Sequence, residues 1–217
     1  MEFKAIIFDL DGTLLDTLDD LGNSVNRVLA EKGFPTHILD RYRYFVGYGV
    51  HMLIARALPK QKRRKDTIQT CADEFTKDYS QNWNVKTRLY DGIAEMLDEL
   101  LKRNLKLSVL SNKPHRFVKQ CVDKFLPDWK FEIVLGQRDA VPPKPNPESA
   151  LEIAEHLKTK PENVLYVGDS GVDMQTAVAA GMFPAGVLWG FRSMKELEDA
   201  GAKVLIERPS EMLSLLG

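Results

Sequence analysis

An open α/β sheet interrupted by one helical insertion is the fold that the 217-residue sequence predicts. Three observations predict it. Short apolar runs rich in β-branched residues end abruptly in polar residues or glycine, as strands buried on both faces of a parallel sheet do. Stretches with apolar residues at helical spacing separate most of these runs. One long segment, from about Asp16 to Asn84, holds helical stretches and no convincing strand.

The elements follow in order. The first run is Lys4 to Phe8 (KAIIF), and the helical segment follows it, broken at Gly33-Phe34-Pro35, Gly47-Tyr48-Gly49 and Pro59. In Asp91–Arg103, Ile93, Met96, Leu97, Leu100 and Leu101 recur at helical spacing. Further runs lie at Leu105 to Leu110, Phe131 to Leu135, Val164 to Val167, Ala185 to Leu188 and Lys203 to Ile206. Helical patterns occupy Pro114–Phe125, Pro147–Lys158 and Val172–Ala180 between them. Strand, helix and strand in this repetition imply right-handed βαβ units. The expected architecture is a Rossmann-like open parallel sheet, with an α/β core of residues 1–15 and 85–217 and an α-helical cap of residues 16–84.

Composition narrows the partners. Thirty Lys and Arg face 31 Asp and Glu, for a formal charge of −1. That balance argues against a surface built for nucleic acid or anionic lipid. The cluster Lys60-Gln61-Lys62-Arg63-Arg64-Lys65 reads as a solvated face, because Asp66, Asp73 and Glu74 follow it. No apolar run approaches the roughly 18 residues of a membrane span, and the N-terminal run is too short for a signal peptide. Cys71 and Cys121 lack CxxC spacing and read as buried thiols, which fits a cytoplasmic protein. His37, His51, His115 and His156 show no metal-ligand spacing.

In an open α/β sheet, ligands bind beyond the carboxyl ends of the strands. The first run delivers Asp9-Leu10-Asp11-Gly12-Thr13, and the second delivers Ser111-Asn112. The third leads to a Pro-rich loop around Lys144, and the fourth delivers Gly168-Asp169-Ser170 and then Asp173. Asp9 and Asp11 stand two apart on extended chain, so both face one way. Crowding them with Asp169 requires a cation, and Mg²⁺ prefers carboxylate, carbonyl and water oxygens. Thr13, Ser111 and Lys144 are donors, as phosphoryl oxygens require. Cation, donors and a carboxylate nucleophile together describe phosphoryl transfer. Each residue alone has a plainer reading. DGT is a common turn, Ser111-Asn112 suits a helix start, and Asp173 suits the first turn of a helix.

The series DxDGT, strand–SN, KP and GDSxxD resembles the haloacid dehalogenase superfamily, in matching order and over almost the whole chain. The resemblance implies Asp9 as nucleophile, through an aspartyl-phosphate, and Asp11 as general acid and base. It implies Mg²⁺ held by Asp9, the backbone carbonyl of Asp11, and Asp169, with Asp173 orienting the metal shell. It places Thr13, Ser111, Asn112 and Lys144 on the substrate phosphate. A helical insertion at this point is similar to the caps of the phosphoglycolate phosphatase and phosphoglucomutase branch. Asp16-Thr17-Leu18-Asp19-Asp20-Leu21 and Phe45-Val46-Gly47-Tyr48-Gly49-Val50 resemble cap segments of phosphoglycolate phosphatases. A small phosphorylated metabolite is the implied partner, and Arg43 and Arg56 are candidates for meeting a substrate carboxylate. The alternatives are another phosphatase or pyrophosphatase, a phosphomutase, and a silent binding protein on the same scaffold. Asp11 counts against a dehalogenase, which would not need it.

Overall fold

The computed structural model describes residues 2–216. The chain opens with β1 (Ala5–Phe8) and the two-residue β2 (Leu15–Asp16). Three helices follow, α1 (Leu18–Glu31), α2 (Val50–Ala57) and α3 (Lys65–Asn82), before β3 (Arg88–Leu89) returns antiparallel to β2. The remainder alternates α4 (Ile93–Lys102), β4 (Lys106–Pro114), α5 (His115–Phe125) and β5 (Ile133–Gln137). Next come α6 (Glu148–His156), β6 (Val164–Gly168), α7 (Gly171–Ala179) and β7 (Phe183–Val187). The chain ends with α8 (Met194–Asp199), β8 (Val204–Ile206) and a 3-10 turn over Pro209–Leu216.

Six strands form one parallel sheet in the order β5-β4-β1-β6-β7-β8. β1 is fully buried on both faces, as its uninterrupted AIIF run requires. The chain leaves β1 toward β4 and β5, then crosses back to β6 on the opposite side of β1. The connections therefore diverge at β1 and β6, and such a switch point opens a crevice at the carboxyl edge. Register sharpens this, because Phe8 pairs with Val109 on one side and Val167 on the other. The residues just beyond those pairs reach one rim together. On β4 the register slips between Leu110 and Pro114, so Ser111, Asn112 and Lys113 bulge from the ladder.

The sheet elements lie within two residues of the runs read from sequence at most of their ends. Two features carried no readable pattern. β2 and β3 are two residues long, too short to show a period, yet they clasp the helical segment at its base. α8 is short, and its signal is the Ser193–Glu196 spacing, where the Ser193 hydroxyl accepts from the Glu196 N–H at 3.3 Å.

The helices between β2 and β3 bury their own apolar stripe. Leu18, Leu21, Val25, Val28 and Leu29 of α1 pack with Leu53, Ile54, Cys71, Phe75 and Tyr79. Phe117 and Phe191, from beside the sheet, join the same cluster. Cys71 and Cys121 are both buried free thiols. Among the described residues, no helix is long and apolar enough to cross a membrane.

Where the chain leaves and re-enters the sheet body, one carboxylate binds the two passes together. The buried Asp20 accepts from the Lys86 N–H (2.9 and 3.0 Å), the Thr87 N–H (2.9 Å) and the Thr87 hydroxyl (2.8 Å). Asp20→Ala leaves these donors without their acceptor and should cost about 1–3 kcal/mol. A lowered urea midpoint at unchanged slope is the expected reading, and an unchanged midpoint would remove Asp20 from the stability of this junction.

Candidate active site

Asp9 follows β1 directly, with its own backbone N–H bonded to the Val167 carbonyl at 2.9 Å. That bond extends the sheet by one residue and fixes the side chain at the rim. Asp169 follows β6, and Asp173 sits in the first turn of α7. One carboxylate oxygen from each of Asp9, Asp169 and Asp173 lies within 4.8 Å of the others, and all three residues are buried. The turn past Asp9 must leave room for this group. Gly12 has φ +87°, and a Cβ there would strike the Asp169 carboxylate; a Cβ on Gly190 would strike it from another side.

Each carboxylate has distinct supports. Asp169 Oδ1 accepts from the Thr13 hydroxyl at 3.2 Å, and Oδ2 accepts from the Phe191 N–H at 2.7 Å. Asp173 Oδ1 accepts from Lys144 Nζ at 2.6 Å, while its Oδ2 closes a capping box with the Ser170 N–H and hydroxyl. Lys144 Nζ also lies 3.1 Å from Asp9 Oδ1 and donates to the Leu110 carbonyl at 2.9 Å. Asp9 Oδ1 accepts from the Leu10 N–H at 2.7 Å.

Asp11 stands apart from the trio. Its carboxylate accepts from Lys113 Nζ at 2.8 and 3.2 Å, and the same ammonium donates to the Tyr79 hydroxyl of α3 at 2.8 Å. Any part of Asp11 in holding a metal therefore falls to its backbone, as the resemblance implies. Thr13 and Lys144 are not among the residues lining the cavity beside Asp9; the Thr13 hydroxyl bonds Asp169, and Lys144 Nζ lies against Asp9 and Asp173. Asn112 is likewise engaged. Its Nδ2 donates to the Gly47 carbonyl (3.0 Å) and the Lys144 carbonyl (2.9 Å), and its Oδ1 accepts from the Lys144 N–H (2.8 Å). Ser111 lines the cavity, and its hydroxyl accepts from the Lys113 N–H at 3.3 Å.

Electrostatics follow from this crowding. Burial first, and then the charge of Asp173, push the Asp9 carboxyl up to about 7, although Lys144 pulls the other way. Burial, Asp173 and Asp9 push Asp169 up to about 8 against the Phe191 N–H and Arg192. A carboxyl at rest is ionised at neutral pH, and the sequence suggests the same of Asp9. Within this rim that ionisation needs added positive charge. Burial also opposes the charge on Lys113 and Lys144, yet their carboxylate partners hold both above the usual lysine range. The trio thus fits a hard divalent cation by charge, donor type and spacing.

The cavity in front of Asp9 is bounded by Asp11, Ser111, Lys113 and Asp169 from the rim, and by Val46, Val50, Leu53 and Phe75 from the helical segment. Lys113 and Arg192 also line it, and neither stands out in the sequence; Lys113 reads there as part of a helix start. Arg43 and Arg56 lie elsewhere. Arg43 Nη1 donates to the Gly190 carbonyl at 2.8 Å, and Arg56 donates to the Tyr44 carbonyl at 2.8 Å while stacking on Tyr48.

A parallel α/β core whose switch point gathers buried carboxylates is an arrangement suited to a divalent cation and an anionic ligand. Residues 6–187 match the family described as haloacid dehalogenase-like hydrolase, and the chain belongs to that family. It is 32% identical over 221 residues to a phosphoglycolate phosphatase of Haemophilus influenzae, covering 99% of each chain. It is 31% identical over 213 residues to that of Aquifex aeolicus, covering 98% of this chain and 96% of the relative. The crystal structure of a predicted phosphoglycolate phosphatase from Haemophilus somnus superimposes with a TM-score of 0.92 at 27% identity, covering 100% of this chain and 99% of the other.

A carboxyl with a raised folded pKa binds its proton more tightly in the folded state. Its stabilisation is present at low pH and is lost as pH rises from about 4 through the folded value. For Asp9 and Asp169 that loss runs up to about 7 and 8. Metal-free protein should therefore melt lower near pH 8 than near pH 5, and Asp169→Asn should flatten the trend. A divalent cation should raise the melting temperature more at the higher pH. Equal gains at both would place the cation elsewhere.

Proposed function

We propose that the protein is a Mg²⁺-dependent phosphatase of a small phosphomonoester, with 2-phosphoglycolate as the substrate that its relatives' names suggest. The observation that carries this reading is the cavity of about 50 Å³ directly in front of Asp9. A water needs at least about 10–15 Å³ by this measure, so the space suits a small ligand. On this reading residues 16–84 act as a cap domain over a core of residues 1–15 and 85–217.

The residues divide the work. Asp9 attacks phosphorus through a carboxylate oxygen, the bond from phosphorus to the ester oxygen breaks, and an aspartyl-phosphate forms. Asp11 passes a proton to the departing alkoxide and then takes one from the water that attacks the same phosphorus. That second step releases phosphate and restores Asp9. Asp9, Asp169 and the backbone of Asp11 would hold Mg²⁺, with Asp173 in support. The ion, when bound, neutralises charge on the phosphoryl oxygens. Ser111 presents a hydroxyl to the phosphoryl group. Lys144 keeps Asp9 and Asp173 compatible at close range, and Thr13 and Asn112 position Asp169 and the Lys144 loop. Lys113 sets the position of Asp11 and is itself held by Tyr79.

Purified protein with Mg²⁺ should release phosphate from a panel of 2-phosphoglycolate, p-nitrophenyl phosphate, sugar phosphates and pyrophosphate. Asp9→Asn should lower turnover at least about a thousandfold without lowering the melting temperature, and EDTA should stop the wild type. Phosphate release by Asp9→Asn at the wild-type rate would show that another group attacks. Isomerisation of a hexose phosphate in place of hydrolysis would show a mutase.

A further inference from the structure

Arg192 follows β7 and leads into α8, beside Phe191, whose N–H bonds Asp169. The side chain is buried in the wall of the cavity in front of Asp9. Nη2 donates to the Val46 carbonyl at 2.8 Å, and Nε pairs with Glu196 Oε1 at 3.2 Å. Nη1 is also buried, and no acceptor among the described residues meets it. A guanidinium keeps its charge at any working pH, so these two N–H donors cannot be silenced by losing a proton. Buried donors of this kind call for an acceptor, and an anionic one satisfies them best.

The surroundings narrow the chemistry of that acceptor. The helical segment contributes apolar side chains to the wall, among them Leu21, Val50, Leu53 and Phe75, and no cation. Lys113, the other cation on the wall, is committed to Asp11 and Tyr79. Gly47, at φ +112°, brings its backbone close enough for Val46 and Gly47 to hold Arg192 and Asn112 by their carbonyls. Arg192 is thereby fixed in place with one edge of its fork unfilled. An apolar wall with a single uncommitted guanidinium edge suits a short carbon chain that ends in a carboxylate.

We propose that Arg192 binds a carboxylate at the end of the substrate remote from phosphorus, and so selects phosphomonoesters that carry this second negative group. The inference rests on the phosphatase reading and adds the residue that sets its specificity. Selection then lies in the connection after β7, in the sheet body. The helical segment excludes bulk and water.

The test compares 2-phosphoglycolate with ethyl phosphate, which has a methyl group in place of the carboxylate. Wild type should favour 2-phosphoglycolate by at least about a hundredfold in kcat/KM. Arg192→Met should erase that preference by lowering kcat/KM for 2-phosphoglycolate far more than for ethyl phosphate. Arg192→Lys, which keeps the charge without the fork, should restore part of it. An equal fall for both substrates would overturn the proposal and leave Arg192 as a tie to Val46, and so would a wild type without preference. Calorimetry on Asp9→Asn, with and without Arg192→Met, reads the same preference as binding. If wild type hydrolyses neither compound, the choice of 2-phosphoglycolate as substrate fails while the wider panel still tests the phosphatase reading, and the calorimetric preference or its absence decides the role of Arg192.

Discussion

Like charges in a small buried volume are the constraint on which the rest of this structure depends. The register that pairs Phe8 with both Val109 and Val167 brings the ends of three strands to one level. Asp9 and Asp169 have no freedom to separate, because β1 and β6 are neighbours in the sheet. Asp173 is added by the first turn of α7. Coulomb repulsion at such range is strong in a low-dielectric setting, and the chain answers it locally. Lys144 reaches two of the three carboxylates, Thr13 and the Phe191 N–H hold the third, and glycine at positions 12 and 190 makes space where any side chain would collide.

The helical segment meets this rim through two backbone carbonyls and two side chains. Val46 and Gly47 offer carbonyls to Arg192 and Asn112, and the Gly190 carbonyl accepts from Arg43 in the opposite direction. The Arg43 guanidinium and the Tyr79 hydroxyl, the latter bonded by Lys113, are the side-chain contacts among these. Carbonyls carry no charge to disturb the carboxylate balance, and they are insensitive to side-chain identity. The segment can therefore present an apolar wall and still be positioned by polar contacts. Its own stability comes from a separate cluster around Val25, Leu29, Ile54 and Phe75, to which Phe117 and Phe191 are shared from the sheet side.

Much of this was legible in the chain itself. The apolar runs and the helical spacing located the main sheet strands and the α4 to α7 helices, because burial on two faces and on one stripe leave different periods. The polar residues at the strand ends were legible for a related reason: a fold with buried strands exposes chemistry only where strands stop. What escaped was short or solitary. β2 and β3 have no period to show. Lys113 looked like the opening of a helix, and only the slipped register of β4 turns it toward Asp11. Arg192 stands in a loop without a motif around it. Arg43 and Arg56, near the glycine-containing loop, bond to the Gly190 and Tyr44 carbonyls and do not line the cavity.

The sequence by itself determined which functional groups stand at the strand ends and in what order, since strand termini and turns are set by neighbours along the chain. Only the tertiary structure decided which group each one meets. Thr13 turned out to serve Asp169, Asn112 joins two loops, and Asp11 is matched with Lys113 instead of with the carboxylate trio. Those pairings depend on strand order, on a slipped register and on how a helical layer leans over the sheet. All three arise from contacts between residues far apart in the chain, and no local pattern encodes them.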